Sequence, residues 1–268
     1  MNTKRTRRNV VKLGAILVSA AAAQAGAPKP ALANGNKGGN GNHWGWGNSD
    51  PQCLLRGTTI TTVDGDRKIE DLKIGDLLPT MFGGSRPIQW IARYPFKKSD
   101  PAKPWPKDVR PIRIARSALA PNIPHADLYV TPEHAFLIDG LLIPVGNLVN
   151  GTTIARHEAR DCEELEYFNI KVEGHDVIHA EGAPVETLRE VDESAVNFAE
   201  YFRMYGHPKT QETRCAPWVS YGGLRGEFKS RVRSAISPWL DRREPIDVIR
   251  DRLDERVVAV AQELDFVE

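Results

Sequence analysis

Cysteine is scarce in this chain: there are three, Cys53, Cys162 and Cys215, among 268 residues. That is too few for a disulfide scaffold, and their spacing matches no zinc pattern. Charge of one sign is missing as well. Lys and Arg number 36 against 35 Asp and Glu, a formal net charge of +1, so no global field points to nucleic acid or to an anionic membrane. No apolar run is long enough to cross a bilayer and stay there as an anchor. The 19 prolines and 22 glycines favour short elements and many turns. Neither a cofactor motif nor a metal-ligating cluster stands out, and none is expected.

Residues 1–33 read as an export signal. Arg5, Arg7 and Arg8 form a basic region, residues 13–23 are apolar, and Ala31-Leu32-Ala33 offers small residues for cleavage. The stretch Thr6-Arg7-Arg8-Asn9-Val10-Val11-Lys12 is similar to signals of the twin-arginine type. The expected destination is therefore periplasmic or extracellular. There Cys162 and Cys215 either pair or stay reduced as small apolar residues. Residues 34–52 are rich in Gly and Asn, have no periodicity and read as a disordered leader.

From residue 53 the pattern changes. Thr58–Val63 is β-branched throughout, apart from the strand-ending Asp64-Gly65 turn pair that follows it. Ile74–Leu78, Pro87–Tyr94, Leu128–Val130, Ala135–Ile138, Leu141–Val145, Thr152–Ile154 and Glu166–Val172 are further strand candidates. Asp139-Gly140 marks a hairpin between two of them. The segment Val109–Ile114 carries prolines and is expected at a sheet edge. Many short strands with almost no helix describe an all-β domain over 53–190. The remainder, 191–268, reads as a helical tail. Asp192–Tyr205 is one helix, stopped by Gly206, and a second is marked by Phe228, Val232, Ile236 and Leu240. Ile246, Ile249, Leu253, Val257, Val260 and Leu264 make the apolar stripe of a third.

Three stretches converge on one site. Cys53-x-x-x-Gly57-Thr58 starts the domain, Thr131-Pro132-x-His134 follows a strand, and His175 ends another. Together they resemble the Hint domain, the self-processing module of hedgehog proteins and inteins. The first block continues through Ile69-Glu70-Asp71-Leu72-x-x-Gly75-Asp76. The second opens at Asp127-Leu128. The third runs Asn169-Ile170-x-Val172-x-x-His175-x-Val177-x-x-Ala180-x-Gly182. The resemblance covers residues 53–188, and a bacterial branch of the family carries a helical tail of this kind. It implies a horseshoe-like all-β fold, mainly β with helices after it.

The resemblance also implies a chemistry. Cys53 would attack the Gln52 carbonyl, turning the amide into a thioester with a free amine. Thr131 would orient the scissile peptide, and His134 would hydrogen-bond its nitrogen and act as general acid. Backbone N–H groups would hold the oxyanion, and His175 would assist proton transfer. His179 reads as structural, Glu70 and Asp76 as turn caps, and Asp127 either as a turn residue or as a contact of the site. Inteins end with a His-Asn pair that releases the downstream segment. Here the place reads Gly182-Ala183-Pro184-Val185-Glu186-Thr187, so self-cleavage or peptide transfer is expected and full splicing is not. The chain's own N-terminal peptide is the expected substrate, with water or another small nucleophile resolving the thioester. Two other readings stay open. One is a catalytically silent, exported binding or assembly module that meets a protein partner through the helical tail. The other is a cysteine hydrolase acting in trans.

Overall fold

The computed structural model describes residues 52–191, 195–207, 212–221, 224–237 and 241–265. The export signal read at 1–33 lies outside the described residues, as does nearly all of the leader.

Among the described residues fourteen strands and three α-helices follow one another in order. The strands are β1 (Leu54–Leu55), β2 (Thr59–Thr62), β3 (Gly65–Lys68), β4 (Leu77–Thr80), β5 (Gly84–Pro87), β6 (Trp90–Lys97) and β7 (Ile112–Ile114). They continue with β8 (Leu128–Val130), β9 (Ala135–Ile138), β10 (Leu141–Pro144), β11 (Ile154–Arg156), β12 (Glu164–Lys171), β13 (Val177–Ala180) and β14 (Ala183–Glu186). The helices are α1 (Phe198–Tyr205), α2 (Leu224–Ile236) and α3 (Pro245–Asp265).

One sheet runs β11-β7-β8-β1-β12-β6 and a second β10-β9-β14-β13-β2-β3, with β4-β5 as a separate ribbon. The named strand pairings are all antiparallel. The fold is mainly β with helices after it. β9 and β10 join through Asp139 and Gly140, both at positive φ (50° and 79°), the backbone that a tight hairpin turn demands.

Alternation along the strands sorts side chains onto two faces. Leu54, Ile112, Val130, Phe168 and Ile170 of the first sheet share a core with Ile60, Phe136, Ile143, Ile178 and Val185 of the second. Cys53, one residue before Leu54, joins the other cluster, with Trp90, Tyr94, Trp105 and Tyr167.

Two expectations change. β7 lies inside its sheet, between β11 and β8, rather than at an edge. Pro111 falls just before the strand, where its missing N–H breaks no ladder, and its carbonyl accepts from His157 N–H at 2.8 Å. The first tail helix starts at Phe198, not near Asp192. Val196 N–H instead donates to Arg93 O, and the Asn197 side chain bonds both Ile91 O and Arg93 N–H. These turn residues cover the exposed edge of β6.

The tail also covers β10. Leu142 N–H donates to Pro217 O at 2.8 Å, and Val219 N–H returns a bond to Leu142 O at 2.9 Å. Ile246, Ile249 and Leu253 of α3 are buried in the inter-sheet core, so this stripe faces the chain's own β domain. Val248 and Val258 remain exposed on its other side. Among the described residues no helix is long and apolar enough to cross a membrane.

Candidate active site

β1 is only two residues long, but it is wedged between β8 and β12, with Leu54 opposite both Val130 and Phe168. Extending both registers by one residue places Cys53 between Thr131 and Asn169. The hydrogen bonds agree. Cys53 N–H donates to Thr131 Oγ1 at 2.8 Å, and Thr131 N–H donates to Cys53 O at 2.9 Å. On the other side Asn169 Nδ2 donates to Gln52 O. The amide orientation of Asn169 is fixed, because its Oδ1 accepts the Ile170 N–H at 2.8 Å. Both the nitrogen and the oxygen of the Gln52–Cys53 peptide are thus gripped by side chains.

The turn Thr131–His134 closes with His134 N–H on Thr131 O at 3.1 Å, and β9 carries on from there. His134 is fully buried, and neither ring nitrogen makes a well-formed hydrogen bond. Backbone groups of Gln52 and Glu186 nevertheless lie close enough to favour its cation. Burial wins, and it pulls the imidazole pKa down to about 4 against the pull of the Glu186 carboxylate. His134 is therefore neutral around pH 7. Thr131, not His134, receives the scissile N–H.

His175 joins the same region. Its Nε2 lies 3.2 Å from Glu186 Oε2, and its Nδ1 accepts the backbone N–H of Cys215 at 3.1 Å. Glu186 is itself buried, and its Oε1 accepts from Ala135 N–H at 2.9 Å. The tail segment that brings Cys215 here is also tied by Glu212 to the buried Lys171, 2.8 Å away. The Cys215 thiol is pushed up to about 11 by burial, with the Asp176 and Glu186 carboxylates adding to the effect, and stays protonated. None of the three cysteines is in a disulfide, which removes the Cys162–Cys215 pairing from the two readings left open.

The remaining sequence candidates sit elsewhere. Asp127 bonds Arg113 Nε at 2.6 Å and Arg116 N–H at 3.0 Å, a clasp at the ends of β7 and β8. Glu70 accepts from Gly57 N–H, and Asp76 from Lys73 N–H, both at 2.9 Å. His179 lies half-buried in β13. Asn169 and Glu186 are the residues that sequence reasoning missed. Asn169 did carry a signal: a polar residue of low strand propensity between Tyr167-Phe168 and Ile170. Glu186 carried none. Among the described residues no group of three or more His, Cys, Asp or Glu could hold a metal ion.

The sequence model of the Hint domain matches residues 52–192. The chain belongs to the Hint domain family. Its fold is similar to that of a gp41-1 intein (16% identity, covering 50% of this chain and 98% of that one, TM-score 0.34). It is likewise similar to a DnaB intein from Synechocystis sp. (14%, 52% and 99%, TM-score 0.36). An intein-like domain from Clostridium thermocellum matches at 16% identity, covering 51% and 98%, with a TM-score of 0.34. No curated protein matches the chain. The Hint fold is that of an autoprocessing type of domain, and the family match begins one residue before Cys53.

Proposed function

We propose that this Hint domain processes its own chain at Gln52–Cys53. The observation that carries the reading is the two-sided grip on that peptide: Thr131 Oγ1 on the nitrogen and Asn169 Nδ2 on the oxygen. In the acyl shift, Cys53 Sγ gives its proton to the neutral His134 and attacks the Gln52 carbonyl carbon. The carbonyl electrons move to oxygen, where Asn169 Nδ2–H stabilises the charge. The His134 imidazolium then delivers the proton to the Cys53 nitrogen, the C–N bond breaks, and a Gln52 thioester with a free Cys53 amine remains. His134 thus acts first as base and then as acid, a shuttle worth about 10²- to 10⁴-fold in rate. His175 serves proton transfer in the resolving step.

Water resolving the thioester leaves a Gln52 carboxylic acid and restores the Cys53 thiol. An amine or alcohol would instead carry the upstream peptide away as an amide or ester. The stretch Gly182–Thr187, where splicing modules carry a His-Asn pair, has none, so the downstream segment stays attached. Export, with removal of residues 1–33, belongs to the same proposal and would leave residues 34–52 as the released or transferred peptide.

The test is the intact mass of the full chain with and without hydroxylamine. A break between Gln52 and Cys53 is expected, accelerated by hydroxylamine and abolished in Cys53→Ala. A full-length chain under all conditions, or equal cleavage in Cys53→Ala, would overturn the reading.

A further inference from the structure

We propose that Glu186 is the positioning residue of this site, a buried carboxylate that sets both histidines without touching the reacting atoms. The proposal rests on the acyl-shift reading above.

Glu186 ends β14, and its side chain is 1% exposed. One oxygen accepts the Ala135 N–H at 2.9 Å. The β9–β14 register pairs Phe136 with Val185, so Ala135 lies opposite Glu186, and its N–H is taken by a side chain rather than a backbone carbonyl. Ala135 directly follows His134, so this bond anchors the turn that carries the shuttle. The other carboxylate oxygen lies 3.2 Å from His175 Nε2.

The tautomer of His175 can be read from its far side. The Cys215 amide can only donate, and it points at Nδ1 from 3.1 Å. Nδ1 must therefore be the bare acceptor, and the proton of the neutral ring sits on Nε2, facing Glu186. Glu186 thus receives two donors, one from each histidine's neighbourhood. A carboxylate has two acceptor oxygens and satisfies both; a carboxamide of the same shape has one and cannot. In this buried setting the unmatched donor is costly. The same negative charge stands beside His134 when that ring holds the thiol proton.

Glu186→Gln is the discriminating variant. Its single oxygen can serve Ala135 or His175, and its NH₂ must face the other. If it faces His175, Nε2 becomes the acceptor, the ring proton moves to Nδ1, and Nδ1–H meets the Cys215 N–H. The expected results are hydroxylamine-dependent cleavage slowed roughly tenfold or more, and faster hydrogen exchange at the Cys215 or Ala135 amide. The imidazole ¹⁵N spectrum of the full chain should show His175 leaving its Nε2–H form. Glu186→Asp keeps two acceptor oxygens and should retain that form with a smaller loss of rate. It also supplies the answer if the Gln variant does not fold. Wild-type cleavage rates in both variants, or an Nδ1–H ring in the wild type, would overturn the proposal while leaving cleavage at Cys53 intact. Absence of cleavage in the wild type would instead overturn the acyl-shift reading, and this proposal with it.

Discussion

At the scale of single residues the site is a set of hydrogen-bond assignments, and each makes a measurable difference. Asn169 Nδ2 donates to Gln52 O, so Asn169→Ala should slow hydroxylamine-dependent cleavage by about 10²- to 10³-fold, by analogy with loss of an oxyanion donor. Asn169→Asp, which puts acceptors where the oxyanion forms, should be slower still. Both are read by mass spectrometry over time, with circular dichroism to show that the fold is kept; cleavage at the wild-type rate in both would remove Asn169 from the mechanism. His134 carries a second prediction. Its pKa falls from 6.5 to about 4 on folding because burial disfavours the cation. Between those values the unfolded chain binds the extra proton. The contribution of this group is therefore complete above pH 6.5 and declines as pH falls toward 4. It amounts to roughly 3 kcal/mol. Denaturant titrations from pH 4 to 8 should show a shallower slope in His134→Gln than in the wild type. Equal slopes would mean that other groups govern acid stability.

At the scale of elements, the tail helix α3 is part of the core rather than an appendage. Leu253 is buried in the inter-sheet cluster with Ile246 and Ile249. Leu253→Ala should cost about 2–5 kcal/mol in denaturant unfolding. Val258→Ala, on the exposed side of the same helix, should stay within about 0.5 kcal/mol. Similar effects for the two would place the buried stripe elsewhere. Much at this scale was legible beforehand. The strand at Glu166–Val172 and the Asp139-Gly140 hairpin could be read directly, because strand composition and turn chemistry are local properties. The interior place of β7 was not legible, since Pro111 marks an edge only if it falls within the ladder, and strand bounds are set by pairing. The start of α1 was hidden for a similar reason: the Val196 N–H and the Asn197 side chain are held by partners on β6.

At the scale of the whole molecule, the C-terminal stretch covers one exposed edge of each large sheet, β6 by residues 196–197 and β10 by Pro217–Val219. Because α3 also completes the core, β domain and tail should unfold together. Tryptophan fluorescence of a variant with Trp44, Trp46, Trp218 and Trp239 changed to Phe, so that only Trp90 and Trp105 of the β domain report, and the far-ultraviolet helical signal should give coincident denaturation curves. Helix lost at clearly lower denaturant would make the tail a separate unit.

The amino-acid sequence by itself determined the family, the β-rich class, the start of the ordered domain at Cys53 and the Thr131-x-x-His134 turn. Those features are written as contiguous motifs and local periodicities. Only the tertiary structure decided which groups hold the peptide. Asn169 reaches Gln52 because β1 inserts between β8 and β12, and Glu186 joins two histidines because β14 pairs with β9. Non-local register alone fixes such contacts, and burial then sets the protonation of the histidine they surround.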